Sequence, residues 1–247
     1  MSFDALVRDL DPGAAVQAAG LVTGYGGPAR AAGFRLGNQR LRCASLLKPL
    51  YAWVADRTPE WASAAEPAVV ESSNADTLRL WLGTGPLVIL DRLAERTGVR
   101  WAPPSTDPAS FGSVEVAASE VVTAYAALAQ AGSFGDRDAQ RILQWMVAAT
   151  QTFGVRELFP GEVAVKCGWF GGADESWLRT HVVTVDRRDD GRIRLACALT
   201  ALPYPGEAER AAYRRALATG GSVEDEHDRV GGGLLRELIP ATLAELG

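Results

Sequence analysis

Strand-forming segments stand at both ends of this chain, and a long helical block separates them. Near the start, residues 16–22 and 33–36 are short extended runs. They are broken by Gly24, Gly26, Gly27, Gly33 and Gly37, a density of turn residues that reads as a hairpin or meander. Strand character returns only at residues 163–166, 180–185 and 193–199, which are rich in β-branched and apolar side chains. Asp189-Asp190-Gly191 between the last two is a hairpin turn signal. Between the two strand groups the apolar period changes from two to about 3.6. Leu47, Leu50, Tyr51 and Val54 line one helical face. Residues 77–96 repeat that pattern, with a break at Gly83-Thr84-Gly85-Pro86 that predicts two helices. Residues 102–111 form a loop rich in Pro, Ser and Asp. Residues 119–131 and 137–152 are helical, with Gly132 and Gly135 in the gap. Residues 207–218 and 233–246 are closing helices.

Isolated strands must pair with one another, so the end segments have to meet in one sheet across the helical block. The expected class is α+β: an antiparallel β-sheet flanked by helices, with an all-helical insertion. Residues 1–44 and 160–247 then form the sheet subdomain, and residues 45–159 the helical one. The chain has 247 residues, 47% of them hydrophobic, enough for one large core or two joined subdomains. A net charge of −5 lacks the basic stripe of a nucleic-acid binder. No apolar run reaches the length of a membrane span. Three cysteines (Cys43, Cys167, Cys197) show no metal spacing and are expected to be buried, reduced thiols. With His181 in a strand-like run and His227 in an acidic, Gly-rich loop, a histidine-centred triad or multi-histidine metal site is not expected. Neither is a cofactor.

Three short motifs fall at the seams between strands and helices. In Ser45-Leu46-Leu47-Lys48 the hydroxyl and the amine are three apart, one helical turn, and share a face. A serine hydroxyl is a weak nucleophile until a base takes its proton, and a lysine serves as that base when burial lowers its pKa. A capping serine with an exposed lysine on an amphipathic helix fits the same tetrapeptide. In Ser72-Ser73-Asn74 a hydroxyl can relay a proton and an amide can hold a substrate, although a plain helix cap also fits. Lys166-Cys167-Gly168 ends a strand. Its lysine offers a charge for a substrate carboxylate, its glycine allows close approach, and the N–H of Trp169 can join that of Ser45 around an oxyanion. A strand end followed by a turn fits that segment too.

Taken in order, the three match S-x-x-K, S-x-N and K-T/S-G, and the chain resembles the class A β-lactamase and low-molecular-mass penicillin-binding-protein superfamily over most of its length. The resemblance extends to Arg42-Cys43-Ala44-Ser45-Leu46-Leu47-Lys48-Pro49-Leu50 around the nucleophile, to Ile142-Leu143-Gln144-Trp145-Met146 with Val155-Arg156-Glu157-Leu158-Phe159-Pro160-Gly161 before the third motif, and to residues 181–199 as the last two strands. It implies that Ser45 is acylated, Lys48 is its base, Ser72 relays a proton, Asn74 and Lys166 with Cys167 and Gly168 bind substrate, and Trp169 completes the oxyanion hole.

The chain departs from that pattern in four ways. Ser45 and Ser72 are only 27 positions apart (72 minus 45), so the helical part must be trimmed there. The loop at 100–111 has no glutamate, whereas class A enzymes carry one that activates the deacylating water; Asp107 and then Glu115 are the nearest carboxylates. Cys167 stands where the family has Thr or Ser, and a thiol is the weaker donor. The N-terminus is charged, with no secretory signal pattern. The expectation is therefore an active-site-serine acyl hydrolase or transacylase acting on a β-lactam, a D-alanyl-type amide or a related ester. Its deacylation should be slow, and its location cytoplasmic unless a leader has been removed. A non-catalytic binding protein that kept the cleft is the alternative.

Overall fold

The computed structural model describes residues 2–24, 29–37, 40–105, 107–171, 177–204, 206–219 and 223–247. Glycines 26 and 27 of the expected first turn lie outside them. In chain order the elements are α1 (Phe3–Val7), β1 (Ala15–Gly24), β2 (Arg30–Leu36), β3 (Leu41–Arg42), α2 (Lys48–Val54), α3 (Trp61–Val70), α4 (Asn74–Thr84) and α5 (Pro86–Thr97). They continue with β4 (Glu115–Val116), α6 (Ala118–Ser133), α7 (Arg137–Val147), β5 (Ala164–Phe170), β6 (Trp177–Arg187), β7 (Arg192–Pro203), α8 (Glu207–Ala218), α9 (Glu224–His227) and, after one π-helical turn, α10 (Gly233–Glu245).

The end strands do meet. They form one five-stranded antiparallel sheet in the order β2-β1-β7-β6-β5. β7 lies at its centre and is covered on both faces, which is why residues 195–202 are all buried. Its side chains alternate between two cores, as the pleat requires. Leu195, Cys197, Leu199 and Ala201 face the core shared with α6 and the helical block. Ala196, Ala198 and Leu202 face the core closed by α10, with Leu235, Leu238, Ile239 and Leu243. The hairpin between β6 and β7 turns at Arg188-Asp189-Asp190-Gly191, where the Gly191 N–H donates to the Arg188 carbonyl at 3.0 Å and Gly191 takes φ 78°.

The expected helix break also has a physical basis. Gly85 adopts φ 97°, its N–H closes α4 on the Trp81 carbonyl, and Pro86 opens α5. Some elements differ from the sequence reading. Gly132 lies inside α6, and α7 ends at Val147, before the Thr150 N–H reaches back to the Val70 carbonyl at 3.0 Å. α1, α3 and α9 carry no strong periodic signal; α3 is rich in alanine and contains Pro67, yet it buries Ala64, Ala65, Ala68 and Val69. His227, read as a loop residue, sits in α9 and is buried. No helix among the described residues is long and apolar enough to cross a membrane. All three cysteines are buried and free.

Candidate active site

The turn carrying Ser45 is built by a small two-stranded ribbon. β3 pairs with β4 (Leu41↔Val116, Arg42↔Glu115), and the bonding continues from Cys43 N–H to the Val114 carbonyl at 2.8 Å and Ala44 N–H to the Gly112 carbonyl at 2.9 Å. Ala44 is thereby held at φ 50°, a conformation that costs a non-glycine residue about 1 kcal/mol or more. The backbone then tightens, with Leu46 N–H on the Cys43 carbonyl at 3.0 Å and Lys48 N–H on the Ser45 carbonyl at 3.3 Å. α2 begins at Lys48, so Ser45 lies in the turn before the helix and not in its first turn. The Tyr125 hydroxyl donates to the Leu46 carbonyl at 2.5 Å from beneath. The His181 ring completes the support. Its Nδ1 accepts from Thr200 N–H at 3.2 Å, which leaves Nε2–H to donate to the Arg42 carbonyl at 2.9 Å. Nothing in the strand-like run around His181 pointed to that role.

Ser72 is presented by the end of α3. Pro67 contributes a carbonyl that accepts from both Glu71 N–H at 3.1 Å and Ser73 N–H at 3.0 Å, and Ser72 between them takes φ 59°. The serine pair divides its work. Ser73 caps α4, accepting from Asp76 N–H at 3.3 Å and donating to the Asp76 carboxylate at 2.6 Å. Ser72 and Asn74 turn toward the lysines.

Lys48 is fully buried. Its Nζ donates to the Ser72 carbonyl, to Asn74 Oδ1 at 2.8 Å and to Ser72 Oγ at 3.3 Å. Lys166, 2% exposed on β5, donates to the same Ser72 Oγ at 2.8 Å and to the Cys167 carbonyl at 3.0 Å. Two buried amines therefore converge on one hydroxyl. Burial, then the neighbouring Lys166 charge, lowers the Lys48 pKa to about 6; burial lowers that of Lys166 to about 8. Near neutral pH, Lys48 is the amine that gives up its proton. A neutral Lys48 still fits its surroundings: two N–H groups for the Ser72 carbonyl and Asn74, and a lone pair for the Ser72 hydroxyl, which takes a bond from the Lys166 ammonium in turn.

β5 lies directly against the Ser45 turn. A Cβ on Gly168 would stand 2.8 Å from the Leu46 nitrogen, 2.9 Å from the Ser45 nitrogen and 3.0 Å from the Cys43 carbonyl oxygen, so only glycine fits there. A cavity of about 240 Å³ opens in front of this contact, lined by Ala44, Ser45, Ser72, Asn74, Phe111 and Trp169, among others. Ser45 is half-buried in its wall.

The structure thus brings Ser45, Lys48, Ser72, Asn74, Lys166, Gly168 and Trp169 to one place. Cys167 is set apart. Strand alternation turns its side chain into the core beneath α10, beside Val165 and Val182, where burial pushes its thiol up to about 12. The two carboxylates nearest the loop are not in the cavity either. Asp107 is exposed and accepts from Ala109 N–H at 2.9 Å and the Ser110 hydroxyl at 3.0 Å; Glu115 is exposed on β4. None of the described residues lining the cavity is acidic.

No protein-family model matches the chain, and no curated protein matches its sequence. Solved structures do match its fold over nearly its whole length. A class A β-lactamase from Bacteroides cellulosilyticus superposes with a TM-score of 0.67 at 11% identity, covering 98% of this chain and 95% of that one. The β-lactamase of Streptomyces albus G gives 0.61 at 16% identity, covering 98% and 97%. The chromosome-encoded β-lactamase of Vibrio parahaemolyticus gives 0.63 at 11%, covering 96% of each. These likenesses define the chain's fold as β-lactamase-like.

Proposed function

We propose that the chain is an active-site-serine acyl hydrolase or transacylase that works through an acyl-enzyme on Ser45, its substrate a β-lactam, a D-alanyl-type amide or a related ester. The observation that carries this reading is the pair of buried lysines meeting on the Ser72 hydroxyl beside Ser45. Neutral Lys48 swings its lone pair from the Ser72 hydroxyl to Ser45 and takes the Ser45 proton as Oγ attacks the substrate carbonyl carbon. The N–H groups of Ser45 and Trp169 hold the oxyanion that forms. As the tetrahedral species collapses, the carbonyl re-forms and the bond to the leaving nitrogen or oxygen breaks. Ser72 gives its hydroxyl proton to that atom and is refilled from Lys48, which restores the base. Asn74 holds the substrate amide, and the Lys166 charge lies behind Ser72 facing the anionic side of the substrate. Residues 1–44 with 160–247 and residues 45–159 are the two subdomains whose seam carries the site.

Hydrolysis of the acyl-enzyme needs a base for water, and none of the described residues lining the cavity carries a carboxylate. Deacylation is therefore the slow step. Mixed rapidly with nitrocefin, the protein is expected to open about one equivalent in a burst and then turn over slowly. Fast steady-state hydrolysis with no burst would contradict the slow-deacylation claim. Saturable binding with no ring opening would make the protein a ligand-binding relative that kept the cleft without the chemistry, the reading favoured by the lack of a carboxylate among the described lining residues.

A further inference from the structure

A second cavity, of about 400 Å³, adjoins the first. Its lining includes Arg40, Arg42, Arg100, Pro103, Ser113 and Glu115, and Ser113 lines both cavities. Three guanidiniums and one carboxylate therefore border a space that shares the Ser113 wall with the acylation cavity. Each guanidinium is held differently. Arg40 is paired with Glu120, with bonds of 2.7 and 2.5 Å, and donates to the Glu115 carbonyl at 3.0 Å, so its charge is already matched. Arg42, three residues before Ser45, lies 5.8 Å over the Phe170 ring, and Phe170 lines the acylation cavity. Arg100 is 78% exposed, and its contact with Asp91 is 3.4 Å long between two exposed side chains, a pair that exchanges easily.

Position indicates which part of a substrate this annex receives. In the acyl-enzyme reading, on which this inference rests, Ser72 protonates the leaving group, so the leaving group sits at the Ser72 end. The annex does not share Ser72 and meets the first cavity at Ser113 instead. A chain extending from the reacting carbonyl away from Ser72 enters it. We propose that the annex is an acyl-group subsite selecting substrates whose acyl portion ends in a carboxylate. The fork of a guanidinium matches a planar carboxylate in geometry and charge. Arg100 and Arg42 supply the contacts, and Glu115 opposes an anion seated too close to β4.

The test separates this proposal from the chemistry. In Ser45→Ala, which has no hydroxyl to acylate, binding of para-nitrophenyl hydrogen glutarate and of its neutral methyl ester is measured by titration calorimetry. The anionic half-ester should bind about tenfold more tightly, the worth of one charge-assisted hydrogen bond. That preference should shrink with added salt and vanish when Arg100→Gln is combined with Ser45→Ala; Arg100 is exposed, so its packing cost is small. Equal affinities, no binding of the half-ester, or a preference that survives both Arg100→Gln and Arg42→Gln would overturn the annex. Absence of acylation in the unmodified protein would instead overturn the acyl-enzyme reading and leave this binding result standing.

Discussion

Lys48→Met is expected to slow acylation of Ser45 by about a thousandfold or more, the contribution of a well-placed general base. Methionine keeps length and removes the amine, so the loss isolates proton acceptance. Lys48→Arg keeps the charge without a usable lone pair and is expected to fare no better. The pH dependence carries the same information. In the proposed mechanism the base must be neutral, so the acylation rate of the unmodified protein is expected to rise as pH passes through about 6, where Lys48 loses its proton. The same mechanism needs Lys166 charged behind Ser72, so the rate is expected to fall again through about 8. The two limbs belong to a coupled pair sharing one hydroxyl, and the plateau lies between them. Stopped-flow acylation across that range, with thermal melts to verify folding, checks both statements. A Lys48→Met protein that acylates normally, or a flat profile from pH 5 to 9, would remove Lys48 from the role of base.

The second large effect is a stability that climbs with pH over an unusually wide range. His181 and His227 are fully buried and neutral. Burial lowers their pKa values from 6.5 to about 4 and about 3. His227 is enclosed by the Thr180 hydroxyl at 3.2 Å and the Tyr213 hydroxyl at 3.3 Å, with no anion to accept its charge in either contact. Above about 6.5 both rings are neutral in the folded and unfolded chains, and their contribution is complete. Below that, the unfolded chain takes up protons that the folded chain refuses, so stability falls until the folded values are reached. At about 1.4 kcal/mol per proton and pH unit, the two rings remove roughly 5 kcal/mol between pH 6.5 and 4.5. That is a large fraction of a typical domain stability of roughly 5–15 kcal/mol.

Lys48 acts in the same direction at higher pH. Between about 6 and its ordinary 10.5 the unfolded chain holds a proton that the folded chain lacks, so stability keeps rising beyond neutrality. Urea midpoints at pH 4.5, 7 and 9 should increase in that order. Lys48→Met should flatten the upper step and His227→Gln part of the lower one. A maximum at pH 5, with decline on both sides, would contradict the burial of these groups.

How much of this was legible in the sequence follows from where each signal resides. The sheet announced itself because β7 is buried on both faces and its residues 195–199 read as an unbroken apolar run. The α4–α5 break was visible because glycine and proline impose it locally. The lysine-and-serine cluster was readable through three motifs, yet no spacing could show that Ser73 would cap α4 while Ser72 took φ 59° to face two amines. α3 was missed because it is held by tertiary burial of alanines and not by a strong periodic face, although its Pro67 carbonyl fixes Ser72. Cys167 was grouped with its motif neighbours, but strand alternation sends it to the opposite core. The supports of His181 under Arg42 and of His227 under Thr180 join residues 139 and 47 positions apart, and such contacts leave no local trace.

The proposed function requires that these groups form one acylation centre at Ser45. Peptide mapping by mass spectrometry, after incubation with a penicillin or a fluorophosphonate, tests it most directly. The expected result is a single adduct on the peptide containing Ser45, slow to leave after penicillin and absent in Ser45→Ala. Modification of another residue, or an adduct that persists in Ser45→Ala, would contradict it.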